Sequence, residues 1–308
     1  MFLSFIPEKN SGTIQPGRLL CSRCDREGDN MSMGFTTIYW RDMIRFVRFK
    51  TLLVSSLLQP ALWLAFFGIA MSSNFDQLTA GIPVPPGVLT VNYLTFMAAG
   101  IIAMTTLFTS LFGGIVILFD KNWGLMREIL ASPMNRNHII FGIGLSGVTK
   151  SFIQAIIIMV FGILIGAAFF AGFTVVEIII GVAGVLAFVA MFALGFLFLS
   201  AAIAISMESP EGLQGVITLL TLPIFFTSNA LYPIDALPEF LKILAMYNPM
   251  TLLITGIRYF AIGPDFIAVG KHYQYTPSIV LISYIGLMVF TALMFALAWW
   301  RFKKAVVT

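Results

Sequence analysis

The sequence alternates between long apolar runs and short polar segments. No Asp, Glu, Lys, Arg or His occurs between residues 77 and 119, and none occurs between residues 151 and 176. A helix needs about 20 consecutive apolar residues to cross the hydrocarbon core of a bilayer, which is about 30 Å thick. Both charge-free runs exceed that length, so the pattern predicts helices that span a membrane.

Six spanning helices account for the apolar pattern, and the predicted fold class is an all-α integral membrane protein. The spans cover residues 51–71, 92–119, 139–171, 177–206, 213–232 and 276–300. Pro60 is expected to kink the first span, and the Gly- and Pro-rich residues 76–91 to form an external loop. Residues 239–261 are interrupted at Asn248 and Pro249, and each half is too short to cross. We therefore predict two re-entrant or interfacial helices before the last span.

An amphipathic segment precedes the first span, with apolar side chains at helical spacing and arginines on the other side. The apolar positions are Phe35, Tyr39, Met43, Phe46 and Val47, and the basic positions are Arg41, Arg45 and Arg48. This pattern predicts an interfacial helix at the cytoplasmic surface, with its arginines facing lipid phosphates. The alternative is that the segment is the polar start of the first span, and Asp42 blurs the boundary between the faces.

The first 33 residues have no sustained apolar segment and no cleavable signal, so we expect a disordered tail or a start assigned too early. The transmembrane domain is then predicted to cover residues 34–304. The tail contains the only two cysteines of the sequence, Cys21 and Cys24, in a lone CSRC motif. Such a motif is compatible with half of a zinc site or with a redox pair. Without a second pair we interpret it as incidental and predict no metal site.

Composition and charge support a membrane protein. Only 10% of the residues are charged and 59% are hydrophobic, whereas a soluble domain carries about 25% charged residues. Most basic residues lie at span ends or in the tail; the placement at span ends follows the positive-inside rule and gives no indication of a nucleic-acid partner. One side carries Arg41, Arg45, Arg48, Lys50, Lys121, Arg127, Arg136, Arg301, Lys303 and Lys304, and the other carries Lys242, Arg258 and Lys271. This bias predicts a plasma-membrane protein with both termini in the cytoplasm.

The charged segment of residues 119–136 separates the second predicted span from the third. Residues 124–131 are predicted to form a short helix, which ends because Ser132 precedes Pro133 and is disfavoured in the helical region. A short amphipathic helix at a membrane exit is well suited to dock a soluble partner. The alternative is an ordinary loop whose charged side chains snorkel towards water.

A family resemblance rests on residues in and after this segment. They are Asp120, Gly124, Glu128, Leu130, Ser132, Pro133, Arg136 and Gln154. Their order resembles the loop between spans two and three of ABC-2 type exporter permeases, the membrane subunits of one class of ATP-binding-cassette exporters. The second half follows the same pattern at residues 211–214, 222–223, 229–233, 237–238, 248–250 and 258. The resemblance covers residues 34–304, and it departs at Ile143, where the family often has a basic residue.

The resemblance implies a permease subunit that exports a drug, antibiotic, lipid or glycolipid and is not itself an enzyme. ATP and Mg²⁺ are expected on a separate ATPase chain, because this sequence has no GxxxxGK[ST] motif to hold phosphates. A second copy or a paralogous permease is expected to complete the pathway within membrane lipid. The residues assigned to ATPase coupling are Asp120, Gly124, Arg127, Glu128, Pro133 and Arg136.

The end of the fifth predicted span contains candidates for lining a pathway, because polar groups within spans usually face protein or a cavity. The candidates are Phe225, Phe226, Thr227, Ser228 and Asn229, and the alternative is ordinary helix packing. A secondary transporter or channel is the alternative function. An ion-coupled transporter would require intramembrane carboxylates, and Glu177 lies near a span end. A membrane enzyme would require clustered catalytic groups, and none stands out.

Overall fold

The structure is a computed structural model that describes residues 21–80, 84–85, 88–124 and 136–305. It is a helical bundle, as predicted, with one small sheet. The helical elements are α1 (Cys21–Arg48), α2 (Lys50–Leu62), a π-helical segment (Trp63–Gly68), α3 (Ile69–Ala80), α4 (Tyr93–Asn122), α5 (Arg136–Leu164), α6 (Val175–Ser206), α7 (Pro210–Phe226), a 3-10 turn (Ile234–Ala236), α8 (Glu239–Tyr247), α9 (Pro249–Ala261) and α10 (Pro277–Ala305). The strands are β1 (Leu89–Thr90), β2 (Asp265–Ala268) and β3 (Lys271–Gln274).

Five stretches of helix among the described residues are long and apolar enough to cross a membrane. They are Ser56–Gln77, Tyr93–Asn122, Phe141–Leu164, Val175–Ser206 and Pro277–Lys303. The pair α8 and α9 would make a sixth span if its 70° bend lies within one crossing. The predicted fifth span corresponds to α7, whose 17 residues lie at the lower limit of crossing length. The multi-pass helical fold is confirmed.

Helix α4 lies at the centre of the bundle and packs against α5, α6, α7 and α9. Its first half is almost completely buried, and its small residues allow close packing, as the sequence predicts. A Cβ atom added at Gly100 would lie 2.5 Å from the main-chain oxygen of Ala230. A Cβ atom added at Gly114 would contact Ser200 of α6 at an even shorter distance. Larger residues at these positions would push α4 away from its neighbours.

Helices α4, α6 and α10 run in the same direction, because the positions in contact rise together along each pair. These contacts are Leu111 with Ser200 and Lys121 with Ile205 for α4 and α6, and Phe188 with Tyr284 and Phe198 with Phe295 for α6 and α10. The carboxyl ends of the three helices therefore meet at one end of the bundle. We call this the basic end, and α1 lies there too. Helix α1 and the end of α10 thus share a side, as the charge bias predicts.

The first span differs from its prediction in position and in the place of its irregularity. The helix continues from α2 through the π-helical segment into α3, and the apolar span is Ser56–Gln77 rather than residues 51–71. The irregularity is the π-helical segment that follows Pro60. Asp76, predicted to lie in the external loop, belongs to α3. Its carboxylate accepts the main-chain N–H of Tyr93 at 2.7 Å, so this charge has a partner and does not end the helix.

Two other spans end earlier than predicted. Helix α5 ends at Leu164 instead of residue 171, and Gly166 follows with a φ of +105°. Glycine adopts this left-handed backbone without a steric penalty and commonly ends helices. Helix α7 ends at Phe226 instead of residue 232, because the chain turns there.

The break between α8 and α9 lies where the sequence predicts it, at Asn248. The side-chain oxygen of Asn248 caps α9 by accepting the main-chain N–H of Met250 at 2.9 Å. Its side-chain nitrogen donates to the main-chain oxygen of Ile224 at 2.7 Å and to the hydroxyl of Thr227 at 3.0 Å. One asparagine therefore fastens the 70° bend to the carboxyl end of α7.

A small sheet lies at the end of the bundle opposite the basic end, and the sequence did not predict it. Strand β1 pairs in parallel with β2, and β2 pairs antiparallel with β3. Phe266 in β2 is completely buried and stacks on Tyr273 in β3. Strands of two to four residues are too short for alternation of apolar and polar positions to mark them.

Helix α1 is longer than the predicted interfacial helix. It begins at Cys21, so residues 21–33 of the expected tail are helical, and residues 1–20 lie outside the described residues. From Phe35 onward α1 packs along α5: Ile38 lies against Gly142, and the Tyr39 hydroxyl donates to Thr149 at 3.4 Å. Its position at the membrane surface stays a prediction.

Candidate functional site

Asp120, near the carboxyl end of α4, forms ion pairs with two arginines of α1. The guanidinium nitrogens of Arg41 and Arg45 lie 2.8 Å and 3.0 Å from its carboxylate oxygens, and the Asp120 side chain is only 6% exposed. Residues four apart lie on one helix face, so both guanidinium groups reach the same carboxylate. The prediction that the arginines face lipid phosphates is wrong for Arg41 and Arg45, because both form ion pairs with the buried Asp120 carboxylate. Arg48 is exposed.

A second ion pair joins α1 to α5. The Lys150 ammonium lies 2.8 Å from the Asp42 carboxylate, and the Ser146 hydroxyl donates to the same carboxylate at 2.6 Å. Burial alone would raise the pKa of Asp42, but the Lys150 charge and these hydrogen bonds outweigh burial and hold that pKa below its usual value. Lys150, a basic residue within the third predicted span, is therefore paired with an acid of α1.

The last residues of α4 are also fastened to the turn between α6 and α7. The Lys121 ammonium donates to the main-chain oxygens of Ile205 at 2.7 Å and Met207 at 3.0 Å. The Asn122 side chain donates to the main-chain oxygen of Glu208 at 3.1 Å. The end of α4 is thus held on one side by α1 and on the other by this turn. We call the contacts of Asp120, Lys121 and Asn122 with α1 and with this turn the charged junction.

The structure describes only part of the predicted coupling site. Asp120 belongs to the charged junction, and Gly124 follows α4 with a φ of +78° and no atom of the described residues within 4 Å of its Cβ position. Arg127, Glu128 and Pro133 lie in residues 125–135, outside the described residues, as does most of the predicted helix 124–131. Arg136 begins α5, but its side chain is not among those described. Their part in coupling stays a prediction.

Gln154, one of the residues that carry the family resemblance, joins three spans. It is buried in α5, donates to the Ser56 hydroxyl in α2 at 2.9 Å, and accepts from the Thr109 hydroxyl in α4. Buried polar groups in a membrane need partners within the protein, and such hydrogen bonds hold helices together. Gln154 therefore fixes the first three spans relative to one another.

Arg258 was counted with Lys242 and Lys271 on the side opposite the termini, and it falls within the predicted helices of residues 239–261. It lies in α9 and its side chain is fully buried. Its Nη2 atom donates to the main-chain oxygens of Phe96 at 3.2 Å and Asn229 at 2.7 Å. The guanidinium carbon lies 3.5 Å from the centre of the Phe96 ring. Arg258 thus connects α9, α4 and the turn after α7.

The charged junction and the buried arginine were missed because each depends on partners far apart in sequence. The available signals were an acid, Asp42, among arginines, and an arginine in an otherwise apolar helix. Neither signal identifies the partner.

Comparison with known proteins decides the family. Residues 33–261 match the sequence model of a family described as ABC-2 type transporter. The chain belongs to the ABC-2 type transporter family. As an ABC-2 permease, it is a multi-pass membrane protein and a transport subunit of an ABC transporter.

Three relatives of this ABC-2 permease show how far the similarity extends. A Cyanophora paradoxa protein described as the transport permease ycf38 is 31% identical over 222 residues, which cover 71% of each chain. The ycf38 protein of Porphyra purpurea is 28% identical over 234 residues, covering 75% of this chain and 72% of that protein. The daunorubicin resistance ABC transporter permease DrrB1 of Streptomyces coeruleorubidus is 22% identical over 222 residues, covering 72% of each.

The predicted pathway residues of the ABC-2 permease lie at the end of α7 and in the turn after it. Phe225, Ser228 and Asn229 are buried within the described chain. Thr227 is half-buried and bonded to Asn248, whereas the Phe226 side chain is 44% exposed. Phe226 therefore faces outward from the described bundle. The lining role of all five residues stays a prediction.

Proposed function

We propose that this ABC-2 permease is the membrane subunit of an exporter that moves an amphipathic or hydrophobic substrate outward, driven by a separate ATPase. The name of the relative DrrB1, a daunorubicin resistance permease, supports a drug-like substrate. The 30 phenylalanines and 16 methionines of the chain supply adaptable apolar surface for such substrates. ATP and Mg²⁺ would bind to the ATPase and not to this chain.

The charged junction is the observation that carries this proposal. It holds the end of α4 immediately before residues 125–135, where we place the ATPase contacts at Arg127 and Glu128. A displacement of these residues would be passed to α1 through Asp120 and to the α6–α7 turn through Lys121. A helix end that two neighbouring elements hold, one through the buried Asp120 carboxylate and the other through the exposed Lys121 ammonium, transmits such a movement.

The transport step follows from a dimer of permeases, formed with a second copy or a paralogue. Two ATPase subunits close on ATP and draw the two 120–136 segments together. Through the charged junction this movement shifts α4. The α6–α7 turn, which Lys121 holds, then passes the shift to α7. The outward opening forms between the two permeases near Phe226, the exposed residue at the end of α7.

Orientation in the plasma membrane is part of the same proposal. The basic end carries the contacts of α1, Lys121 and the last turns of α10, where Arg301 and Lys303 lie. Basic segments next to spans are retained in the cytoplasm. We therefore place the basic end and both termini in the cytoplasm, and the sheet outside.

Glu128 provides the test of ATPase docking. Loss of one partner of a buried charge pair costs about 2–5 kcal/mol, whereas loss of a surface charge costs about 1 kcal/mol or less. We expect Glu128→Ala to insert and dimerise normally, to co-purify with less ATPase, and to lose substrate stimulation of ATP hydrolysis. The measurements are complex yield and ATP hydrolysis with and without substrate in reconstituted vesicles.

Glu239→Ala is the matched control, because Glu239 is an exposed carboxylate at the opposite end of the bundle. It should behave as wild type. Wild-type complex yield and stimulation in Glu128→Ala would remove Glu128 from the coupling site. Substrate movement in vesicles that lack the ATPase would instead favour a secondary transporter or channel.

A further inference from the structure

Arg258 is the largest fully buried side chain among the described residues. An arginine keeps its proton in proteins, so the interior of the bundle holds a full positive charge away from water. Within the described part of the chain its hydrogen bonds go to main-chain oxygens, and it forms no ion pair. This distinguishes Arg258 from Arg41, Arg45 and Lys150, which each have a carboxylate partner.

Partial charges compensate some of the Arg258 charge. They come from the main-chain oxygens of Phe96 and Asn229, from the face of the Phe96 ring, and from the carboxyl end of α9, in whose last turn Arg258 lies. None of these groups carries a net charge. The net charge of the guanidinium is therefore not neutralised by these groups, and an anion beside it would be stabilised.

Three hydrogen-bond donors on side chains that contact the Phe96 ring have no partner among the described residues. The Nε and Nη1 atoms of Arg258 are buried without a partner, and so is the hydroxyl of Tyr273. The Tyr273 ring packs on Phe96, 5.5 Å between ring centres, so both side chains contact one ring. Burial raises the pKa of Tyr273, although the Arg258 charge opposes the rise, and the hydroxyl keeps its proton to donate.

Asn229 adds a fourth unpartnered group. Its side-chain oxygen is buried without a hydrogen bond, while its main-chain oxygen accepts from Arg258. Rotation of the amide by half a turn places its NH₂ group where the oxygen lies and turns the acceptor into a donor. Unpartnered polar groups from α9, β3 and the turn after α7 thus belong to residues that contact Phe96 or Arg258.

We propose that Arg258 binds a small inorganic anion of halide size, with the Tyr273 hydroxyl as a further ligand. The unpartnered donors of the guanidinium and the phenol would hold it, and its charge would neutralise Arg258. The anion would join α9, β3 and the turn after α7 beneath the outer sheet. This is a structural ligand site, and it does not depend on the direction or substrate of transport.

The size of the ligand follows from the enclosure of the site. Arg258 and Phe96 are completely buried and Asn229 is 5% exposed, whereas Tyr273 is partly exposed although its hydroxyl is buried. A phospholipid headgroup or an acidic drug has a tail that must leave the site, whereas a halide ion has none. Enclosure therefore favours chloride over an acidic lipid or substrate.

Chloride dependence of thermal unfolding tests the proposal. The full chain is purified in detergent, chloride is titrated against gluconate at constant sodium concentration and ionic strength, and the Tm is measured. A ligand of the folded state raises Tm in a saturable manner. We expect such a rise for wild type and none for Arg258→Gln. For Tyr273→Phe, which removes one oxygen atom, the chloride concentration at half-maximal effect should rise about tenfold.

Lys242→Gln is the control variant, because Lys242 is a partly exposed cation at the same end of the bundle. It should keep the wild-type chloride titration. If Arg258→Gln fails to fold, Tyr273→Phe still decides the matter. A wild-type Tm that does not depend on chloride would overturn the proposal, as would Tyr273→Phe that titrates as wild type. An anionic phospholipid that replaces chloride in the titration would overturn the assignment to a small anion.

Discussion

At the scale of single residues, the placement of acids among basic side chains determines how α1 is held. Asp120 has two guanidinium partners from one helix face, and the arginines remain about 30% exposed. Loss of a partner in a fully buried pair costs about 3–5 kcal/mol, and exposed pairs contribute about 1 kcal/mol or less. The Asp120 pairs lie between these limits.

We therefore expect Asp120→Asn to lower the free energy of unfolding by about 1–3 kcal/mol. The measurement is thermal unfolding of the purified protein. Asp235→Asn is the control, because Asp235 also pairs with two cations, Lys242 and Lys271, but is about half exposed at the opposite end. Equal losses in the two variants would show that burial of Asp120 adds nothing.

The carboxylate of Asp42 gives a dependence on pH. Its pKa in the folded protein lies below the ordinary value of 3.8, so its stabilising effect is fully present above about pH 4 and is lost as the pH falls through the folded pKa. Wild type should exceed Asp42→Asn in Tm at neutral pH, and the difference should shrink below about pH 4. A difference that stays constant down to pH 3 would contradict the role of this ionised group.

At the scale of elements, α4 depends on the absence of side chains where it crosses its neighbours. A methyl group at Gly100 would lie 2.5 Å from a main-chain oxygen, which cannot rotate away. Overpacking of this kind costs about 1–3 kcal/mol, so Gly100→Ala should lower Tm. Gly215→Ala in α7 is the control: nothing lies within 4 Å of its Cβ position, and alanine favours a helix by about 1 kcal/mol over glycine. A stabilising Gly100→Ala would disprove the close approach of α4 to the turn after α7.

Helix boundaries were predictable where the signal is local. Thr174 and Glu177 form a capping box at the start of α6, and Asn92 caps α4. Asn248 with Pro249 likewise marks the break before α9. The end of α7 was not predictable, because the apolar sequence continues beyond Phe226 while the chain turns to meet Asn248, more than 20 residues later.

The candidate site was predictable only in part. Residues 119–136 stand out by charge, and the resemblance selected Gln154, which proves to join three spans. Ion pairs and main-chain contacts across 29 to 162 positions leave no pattern in one sequence, so the partners of Asp120 and Arg258 were not foreseen. The sheet was missed because its strands are very short.

At the scale of the whole molecule, the shared direction of α4, α6 and α10 makes the topology testable. Both native cysteines are replaced by serine, and single cysteines are placed at exposed positions at each end. We expect an impermeant thiol reagent to label cysteines at Val84 and Asp235 in intact cells. A cysteine at Arg301 should react only after permeabilisation. The reverse labelling pattern would show that the basic end lies outside the cell. Labelling of both ends in intact cells would refute a common cytoplasmic side for the basic residues.

The pairing of β1 with β2 has a consequence for the order of assembly. Strand β1 leaves the ribosome directly after the first span, but its partner appears only after the six described helices α4 to α9 have been synthesised. Contacts between distant parts of a chain form late, because closing the long intervening loop costs entropy. The outer sheet is therefore completed near the end of biogenesis. A chain released before residue 265 would hold most of its spans and still lack this closure.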